Sequence, residues 1–160
     1  MKIQLMGNSE KQIHPKGLSM AIWCNWSGTH SVYLESQESN VIGNRVEFVP
    51  VSIIRSGFDA RFKNWSISFQ TSHTGIQYTD AQNSEIPAEG DLREGLIGTI
   101  PSYGVSDIYV SYHHAYFELG CGMNNIFDSS YFTRRALGYP GPGIIPADPR
   151  SIFLSLGINF

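Results

Sequence analysis

Ser151-Ile152-Phe153-Leu154-Ser155-Leu156-Gly157-Ile158-Asn159-Phe160 closes the chain and alternates without a miss. Ile152, Leu154, Leu156, Ile158 and Phe160 fall on one side of a period-two strand, while Ser151, Phe153, Ser155, Gly157 and Asn159 fall on the other. One side is apolar throughout; the other is mostly small or polar. A water-soluble sheet can show the same alternation, but it seldom ends a polypeptide on its own apolar face, whereas the last strand of an outer-membrane barrel typically does. The stretch therefore sets the expectation of a membrane-barrel strand.

Counted back from that strand, the connections alternate between very short and long. Ser27-Gly28, Lys63-Asn64 and His113-His114 each suit a hairpin of two or three residues. Between them lie 39–46, 80–101 and 128–149, which are polar or rich in Gly and Pro, the last two far longer than ordinary hairpin loops. Every tight turn then falls on the rim that carries Phe160 and every long loop on the opposite rim, as in barrels with short periplasmic turns and longer extracellular loops. Trp26, Phe62, Trp65, Tyr112, Tyr116 or Phe117, and Phe160 would ring the short-turn rim as an aromatic girdle.

The two-residue period predicts strands over 12–26, 29–39, 47–62, 65–78, 102–112, 115–127 and 150–160, with the stub of another at 2–6. Lipid-facing series follow from it: Leu18, Met20, Ile22 and Cys24; Ile54, Phe58, Ala60 and Phe62; Trp65, Ile67 and Phe69; Ile108, Val110 and Tyr112; Phe117, Leu119, Cys121 and Met123. The opposite faces carry Ser19, Arg55, Asp59, Arg61, Ser66, Ser68, Gln70, Asp107, Ser111, Glu118 and Asn124, a wet lumen. In a soluble antiparallel sheet the polar face would lie outside instead, so alternation alone leaves both arrangements open. The expected class is an all-β, antiparallel up-and-down transmembrane β-barrel, here its C-terminal part, an open curved sheet of about seven to eight strands.

Composition excludes more than it asserts. A net charge of -3 and a mean hydropathy of -0.16 leave no transmembrane helix and no basic surface for nucleic acid. Cys24 and Cys121 sit on strands distant in order, so they read as small apolar fillers rather than a disulfide. His113 and His114 invite a metal reading, but neighbours in a strand point to opposite faces and no Cys or carboxylate has ligand spacing to them. Serines, histidines and acids are scattered over separate strands and nothing marks one serine as a nucleophile. The expectation is a protein that is not an enzyme and carries no cofactor. Met1 to Met6 shows no charged segment followed by an apolar run and cleavage site, and seven strands is an odd count for a single-chain bacterial barrel, so the chain reads as the tail of something larger.

Asn124-Asn125-Ile126-Phe127-Asp128, then Tyr131-Phe132-Thr133-Arg134-Arg135, then Gly138-Tyr139-Pro140-Gly141-Pro142-Gly143-Ile144-Ile145-Pro146, Pro149-Arg150 and the terminal Phe160 resemble the C-terminus of TonB-dependent outer-membrane receptors of the ferric citrate type. Gly43-Asn44-Arg45-Val46-Glu47-Phe48-Val49-Pro50 and Ile100-Pro101-Ser102-Tyr103 look like strand beginnings of that family, so the resemblance covers roughly the C-terminal three quarters of the chain.

The resemblance implies a 22-stranded barrel plugged by an N-terminal domain, energised by TonB, that imports ferric chelates in the outer membrane of a Gram-negative bacterium. Residues 1–160 would be the C-terminal portion of that barrel, without the plug, the TonB-contacting segment or about two thirds of the wall. Such a fragment is not expected to transport alone. Expected partners are outer-membrane lipid, the barrel-assembly machinery, a ferric chelate and, in the full-length receptor only, the TonB energy-transducing complex. Arg134 and Arg135, beside Tyr131 and Tyr139, are the candidate chelate-binding residues, since guanidinium forks suit citrate or catecholate oxygens. The structural alternative pairs either arginine with Asp128 or Asp148 to pin the loop. Leu156, Ile158 and Phe160 would form the assembly signal, an edge strand ready for β-augmentation. Two other readings stay open: a small autonomous outer-membrane barrel, and a soluble β-barrel or sandwich binding module.

Overall fold

The structure, a computed structural model, describes residues 2–13, 17–86, 95–136 and 143–158. Seven strands build one antiparallel sheet: β1 (Lys2–Ile13), β2 (Leu18–Ser31), β3 (Ser52–Phe62), β4 (Trp65–Thr74), β5 (Tyr103–His113), β6 (Phe117–Asn124) and, at the far edge, β9 (Ser151–Ile158). Each of the first five pairs with its successor, and β9 pairs with β6. Between β6 and β9, a two-stranded ribbon of β7 (Phe132–Ala136) and β8 (Gly143–Pro146) stands apart from the sheet. The sheet is open, with β1 and β9 as its edges, and fits an arc of an up-and-down barrel.

The expected alternation of connections is present, with one turn misplaced. Lys63-Asn64 makes the β3–β4 turn, with Lys63 at a φ of 52°. The side-chain amide of Asn64 donates to the carbonyl of His113 at 2.6 Å, tying that turn to β5. Ser27-Gly28 is not a turn: Ser27 faces Ile53 and Gly28 faces Ser52 in an unbroken ladder. The first hairpin instead closes between Ile13 and Leu18, where Gly17 takes a φ of 76°. The stretch expected as a strand over 29–39 dissolves into loop beyond Ser31, and the stub at 2–6 is the start of a complete twelve-residue strand. Gly28 is explained by packing. The indole of Trp26 lies flat over Gly7 of β1 and alongside Gly28, so glycine stands where a Cβ would meet the ring.

Facing residues of an antiparallel ladder share a face, and the register assembles the predicted series into continuous rows. Leu18, Phe62, Trp65, Tyr112, Leu119 and Leu156 form one row; Met20, Ala60, Ile67, Val110, Cys121 and Leu154 the next; Ile22, Phe58, Phe69, Ile108, Met123 and Ile152 a third. The other face carries Ser19, Arg61, Ser66 and Ser111, then Asp59, Ser68 and Tyr109, then Gln70 and Asp107. Trp23 over Gly57 and Phe153 over Gly122 lie flat on this polar face in the manner of Trp26 over Gly7. Trp26 itself pairs with Ile54, near the beginning of β3, so it belongs to the long-loop end and not to the short-turn girdle. Phe62, Trp65 and Tyr112 do flank the short turns, and Trp65 and Tyr112 touch with centroids 4.9 Å apart.

Among the described residues no apolar core backs this sheet. Among the described residues only Val41 and Ile100 are buried hydrophobics, and both lie in the long connections. Leu154 is 80% exposed, and Ile22, Phe62, Trp65, Leu119 and Ile152 are exposed with it. A soluble sandwich or barrel of this length would bury one face of its sheet; the exposed apolar rows exclude that arrangement for the sheet described.

Candidate functional site

The long-loop rim is where the chain builds three-dimensional detail. The connection 32–51 and the segment 75–86 are clasped together by Asn83, whose side-chain oxygen accepts from the Arg45 N–H at 2.6 Å and whose amide donates to the Arg45 carbonyl at 2.8 Å. Asn44 adds a bond to the carbonyl of Ala81 at 2.9 Å. Ile100, wholly buried, bridges Gln77 through two backbone hydrogen bonds and is the anchor of the second connection. Tyr33 donates a hydrogen bond to Glu47, and that bond raises the phenol's pKa above its ordinary value.

Beneath the third connection, on the polar face, lies a cavity of about 480 Å³ lined by Trp23, Arg55, Gln70, Tyr103, Asp107, Tyr131 and Thr133 among others. Strand alternation brings them together: Trp23, Gln70 and Asp107 share one row, and Arg55 stands in the next. Tyr131 comes from the loop and stacks on Tyr103, with centroids 4.7 Å apart and planes 19° from parallel. Burial, followed by the charges of Tyr103, Asp107 and Asp148, holds the Tyr131 phenol above its ordinary pKa, so it remains a donor at neutral pH. Asp107 is already occupied, accepting from the Asn125 N–H at 2.9 Å and the Gln70 amide at 3.2 Å. Among the described residues no acceptor engages the Arg55 guanidinium. Among the described residues the cavity thus offers an unpaired guanidinium, two stacked phenols, an indole and several hydroxyls beside the occupied Asp107 carboxylate, donors suited to a flat, oxygen-rich anion.

The structure divides the residues singled out in the sequence. Tyr131 lines the cavity. Arg135 donates to the carbonyls of Gly95 at 2.5 Å and Thr99 at 3.1 Å and lies 5.3 Å from the centre of the Phe132 ring. It pins a loop, but through carbonyls rather than through Asp128 or Asp148. Asp128 is held instead by Arg150, which donates its N–H at 3.0 Å and places its guanidinium at 3.8 Å. Arg134 is exposed on the ribbon, without a hydrogen bond or ion pair among the described residues. Tyr139 and Phe160 lie outside the described residues, whereas Leu156 and Ile158 stand exposed on the apolar face of β9. Arg55, Trp23 and Tyr103 were missed as site residues. Arg55 had been placed on the lumen face, but nothing linear says that the third loop folds down over it.

His113 also departs from expectation. It ends β5 rather than opening the hairpin turn, with Nε2 3.0 Å from Ser111 Oγ and 3.3 Å from Ser66 Oγ and Nδ1 3.5 Å from Glu118. Those are the contacts of a serine–histidine–acid relay, yet Ser111 is 2% exposed and its oxygen is already 2.6 Å from that of Ser66. The cluster fastens β4, β5 and β6 together and presents no accessible nucleophile at Ser111.

No family model matches the chain. Solved structures do. The ferric citrate transporter FecA in its unliganded form superposes with a TM-score of 0.73 over 84% of this chain at 24% identity. The chain has the fold of a siderophore-receptor barrel wall. The siderophore receptor PiuA of Acinetobacter baumannii matches over 96% of the chain, with a TM-score of 0.66 and 17% identity. The ferric yersiniabactin uptake receptor FyuA of Yersinia pestis matches over 98%, with a TM-score of 0.67 and 17% identity. The chain spans 20%, 21% and 24% of those three proteins.

Proposed function

We propose that this chain is the C-terminal wall of a TonB-dependent outer-membrane receptor that takes up ferric chelates in a Gram-negative bacterium, and that it does not transport by itself. The observation that carries the reading is the pair of faces: apolar rows exposed on one side, charged and hydroxyl rows on the other, with the buried hydrophobics confined to loops. Lipid on the apolar side accounts for that inversion. From Leu18 to Trp26 the apolar series of β2 spans nine residues, whose eight rises give about 19 Å of depth at a 45° tilt, close to the roughly 25 Å apolar band of outer-membrane barrels. The barrel-assembly machinery would recognise β9 through Leu156, Ile158 and Phe160, and TonB would act only on a full-length receptor with its plug.

For the ligand, Arg55, Tyr103 and Tyr131 are the residues we assign to contact with an anionic ferric chelate such as citrate or a catecholate; Arg134 and Tyr139 are assigned to its approach at the rim. The free guanidinium of Arg55 beside two phenols supports this. The test is made in the receptor that contains this segment, by measuring surface abundance and ferric-chelate binding together. Replacing Arg55 with Gln should weaken binding about tenfold or more, as expected for loss of a charge-assisted contact, at unchanged abundance. Deleting Phe160 should lower abundance and leave the affinity of the surviving molecules intact. Normal affinity in Arg55→Gln would remove the ligand assignment; normal abundance without Phe160 would remove the assembly role.

A further inference from the structure

The polar face holds a second cavity, nearer the short-turn rim than the one around Arg55, with a volume of about 300 Å³. Arg61, Asp59, Ser66, Ser68 and Tyr109 line it, and they come from two neighbouring rows: Arg61 faces Ser66, while Asp59 faces Ser68 and Ser68 faces Tyr109. Asp59 accepts from the Ser68 hydroxyl at 2.5 Å. Among the described residues no acceptor engages the Arg61 guanidinium.

Ser66 is where this cavity meets the His113 cluster. Ser111 is sealed, and the Tyr109 phenol lies over Gly120, the residue that faces Ser111 in the ladder. Ser66 is only partly buried: it lines the cavity while its oxygen stays 2.6 Å from Ser111 Oγ and 3.3 Å from His113 Nε2. A proton can therefore leave Ser66 for the imidazole directly, or through the Ser111 hydroxyl, which is 3.0 Å from Nε2. Behind the ring, Glu118 lies 3.5 Å from Nδ1, placed to keep a proton there and leave Nε2 as the acceptor. Fastening three strands requires the hydroxyl and imidazole contacts; it requires neither a carboxylate behind the ring nor an unpaired cation opposite the exposed serine.

We propose that Ser66 is an activated nucleophile and that this cavity hydrolyses small carboxylic esters, with His113 as general base and then general acid, Arg61 as the partner of the oxyanion, and Ser111 and Glu118 as positioning residues. The Ser66 proton passes to His113 Nε2 as Oγ bonds to the carbonyl carbon, and the carbonyl electron pair moves onto an oxygen that the Arg61 guanidinium stabilises. Collapse of that oxyanion breaks the bond to the alcohol oxygen, which takes the proton from His113. Water then gives a proton to His113 and attacks the acyl carbon; Ser66 leaves with that proton and the carboxylic acid departs. The volume lies at the small end of ligand sites and suits a short acyl group.

The test is made in the outer-membrane protein that contains this segment, purified in detergent. It is treated with a fluorophosphonate probe, the labelled residue is located by mass spectrometry, and hydrolysis of p-nitrophenyl acetate is measured alongside. Label on Ser66 is expected. Ser66→Ala should remove it and lower hydrolysis about a hundredfold or more, as should His113→Gln. Arg61→Gln should slow both reactions about tenfold or more. Ser111→Ala should slow labelling yet leave it on Ser66, because the direct route to His113 survives. Glu118→Asp should keep more of the rate than Glu118→Gln, which preserves size but not charge. Heat-dependent gel migration establishes that each variant is folded. An unlabelled wild-type protein, label on another serine, or unchanged hydrolysis in Ser66→Ala would overturn the proposal. So would equal losses in Ser66→Ala and Ser111→Ala, the pattern of strand fastening alone, and equal rates in the two Glu118 variants would remove the carboxylate from the relay. If Ser66→Ala does not fold, the position of the label in the wild-type protein decides.

Discussion

The two rims of this sheet are built by opposite means. At the short-turn rim the chain reverses within a few residues, and its order comes from neighbours in the ladder: Asn64 reaching His113, His113 reaching Ser66, Ser111 and Glu118. At the long-loop rim three connections fold over one another through side-chain clasps, and there lie the two hydrophobics buried among the described residues, Val41 and Ile100. The first rim inherits its geometry from the sheet, whereas the second has small cores of its own. On the receptor reading proposed above, the wall and its short turns should respond to changes in membrane burial, and the loop layer to changes in ordinary packing.

The largest separation of the two is expected from charge on the apolar face. Leu154→Arg together with Leu156→Arg should destabilise the wall by up to about 2–4 kcal/mol at each site that lies near the membrane midplane, and abolish accumulation of the closed receptor. Heat-dependent gel migration measures this directly, and near-normal levels would break the contrast by showing that this face is not in lipid.

Ile100→Ala should act on the loops alone. Loss of a wholly buried isoleucine costs about 2–5 kcal/mol in ordinary cores, enough to open the connection it anchors. Rapid protease cleavage between residues 75 and 102, with heat-dependent migration preserved, is the expected pattern. Loss of the closed barrel would show that the loops support the wall.

A smaller effect is expected at Arg135. Arg135→Lys keeps the charge but removes the planar fork that meets two carbonyls, a loss of about 1–2 kcal/mol. Hydrogen exchange at 95–99 should rise, while chelate affinity stays unchanged. A fall in affinity larger than that of Arg55→Gln would return Arg135 to the ligand site.

The smallest effect is a pH dependence confined to the first loop. The Tyr33 phenol is held above its ordinary pKa of 10.0, first by its hydrogen bond to Glu47, so the neutral form is the stabilised one. The stabilisation is complete below the ordinary value and disappears as pH rises through the raised one. Loop protection should be flat through neutral pH and decline only in alkali, and Tyr33→Phe should remove that decline.

Much of the wall was legible because a period of two leaves one pattern per face. The rows through Leu18, Met20 and Ile22 hold as read, and so does the alternation of short turns with long loops. Ser27-Gly28 misled because the dipeptide is a good turn former in isolation, while here both neighbouring strands pair across it and Trp26 needs glycine beneath its ring. The site was only half legible. Tyr131 was placed correctly in the last loop, whereas Arg55, three connections earlier, shares its cavity through a contact that no local pattern encodes.

By itself, then, the sequence determined which residues share a face, since side-chain alternation is a local property of an extended backbone. It also determined the sense of the two rims, because loop length is written directly in the chain. Tertiary structure alone decided that, among the described residues, nothing covers the apolar rows and no acceptor engages Arg55, that Arg135 binds carbonyls, and that both edges run the same way. Those are long-range facts. They depend on how distant segments pair and fold over one another, and strand register sets them where composition and periodicity do not.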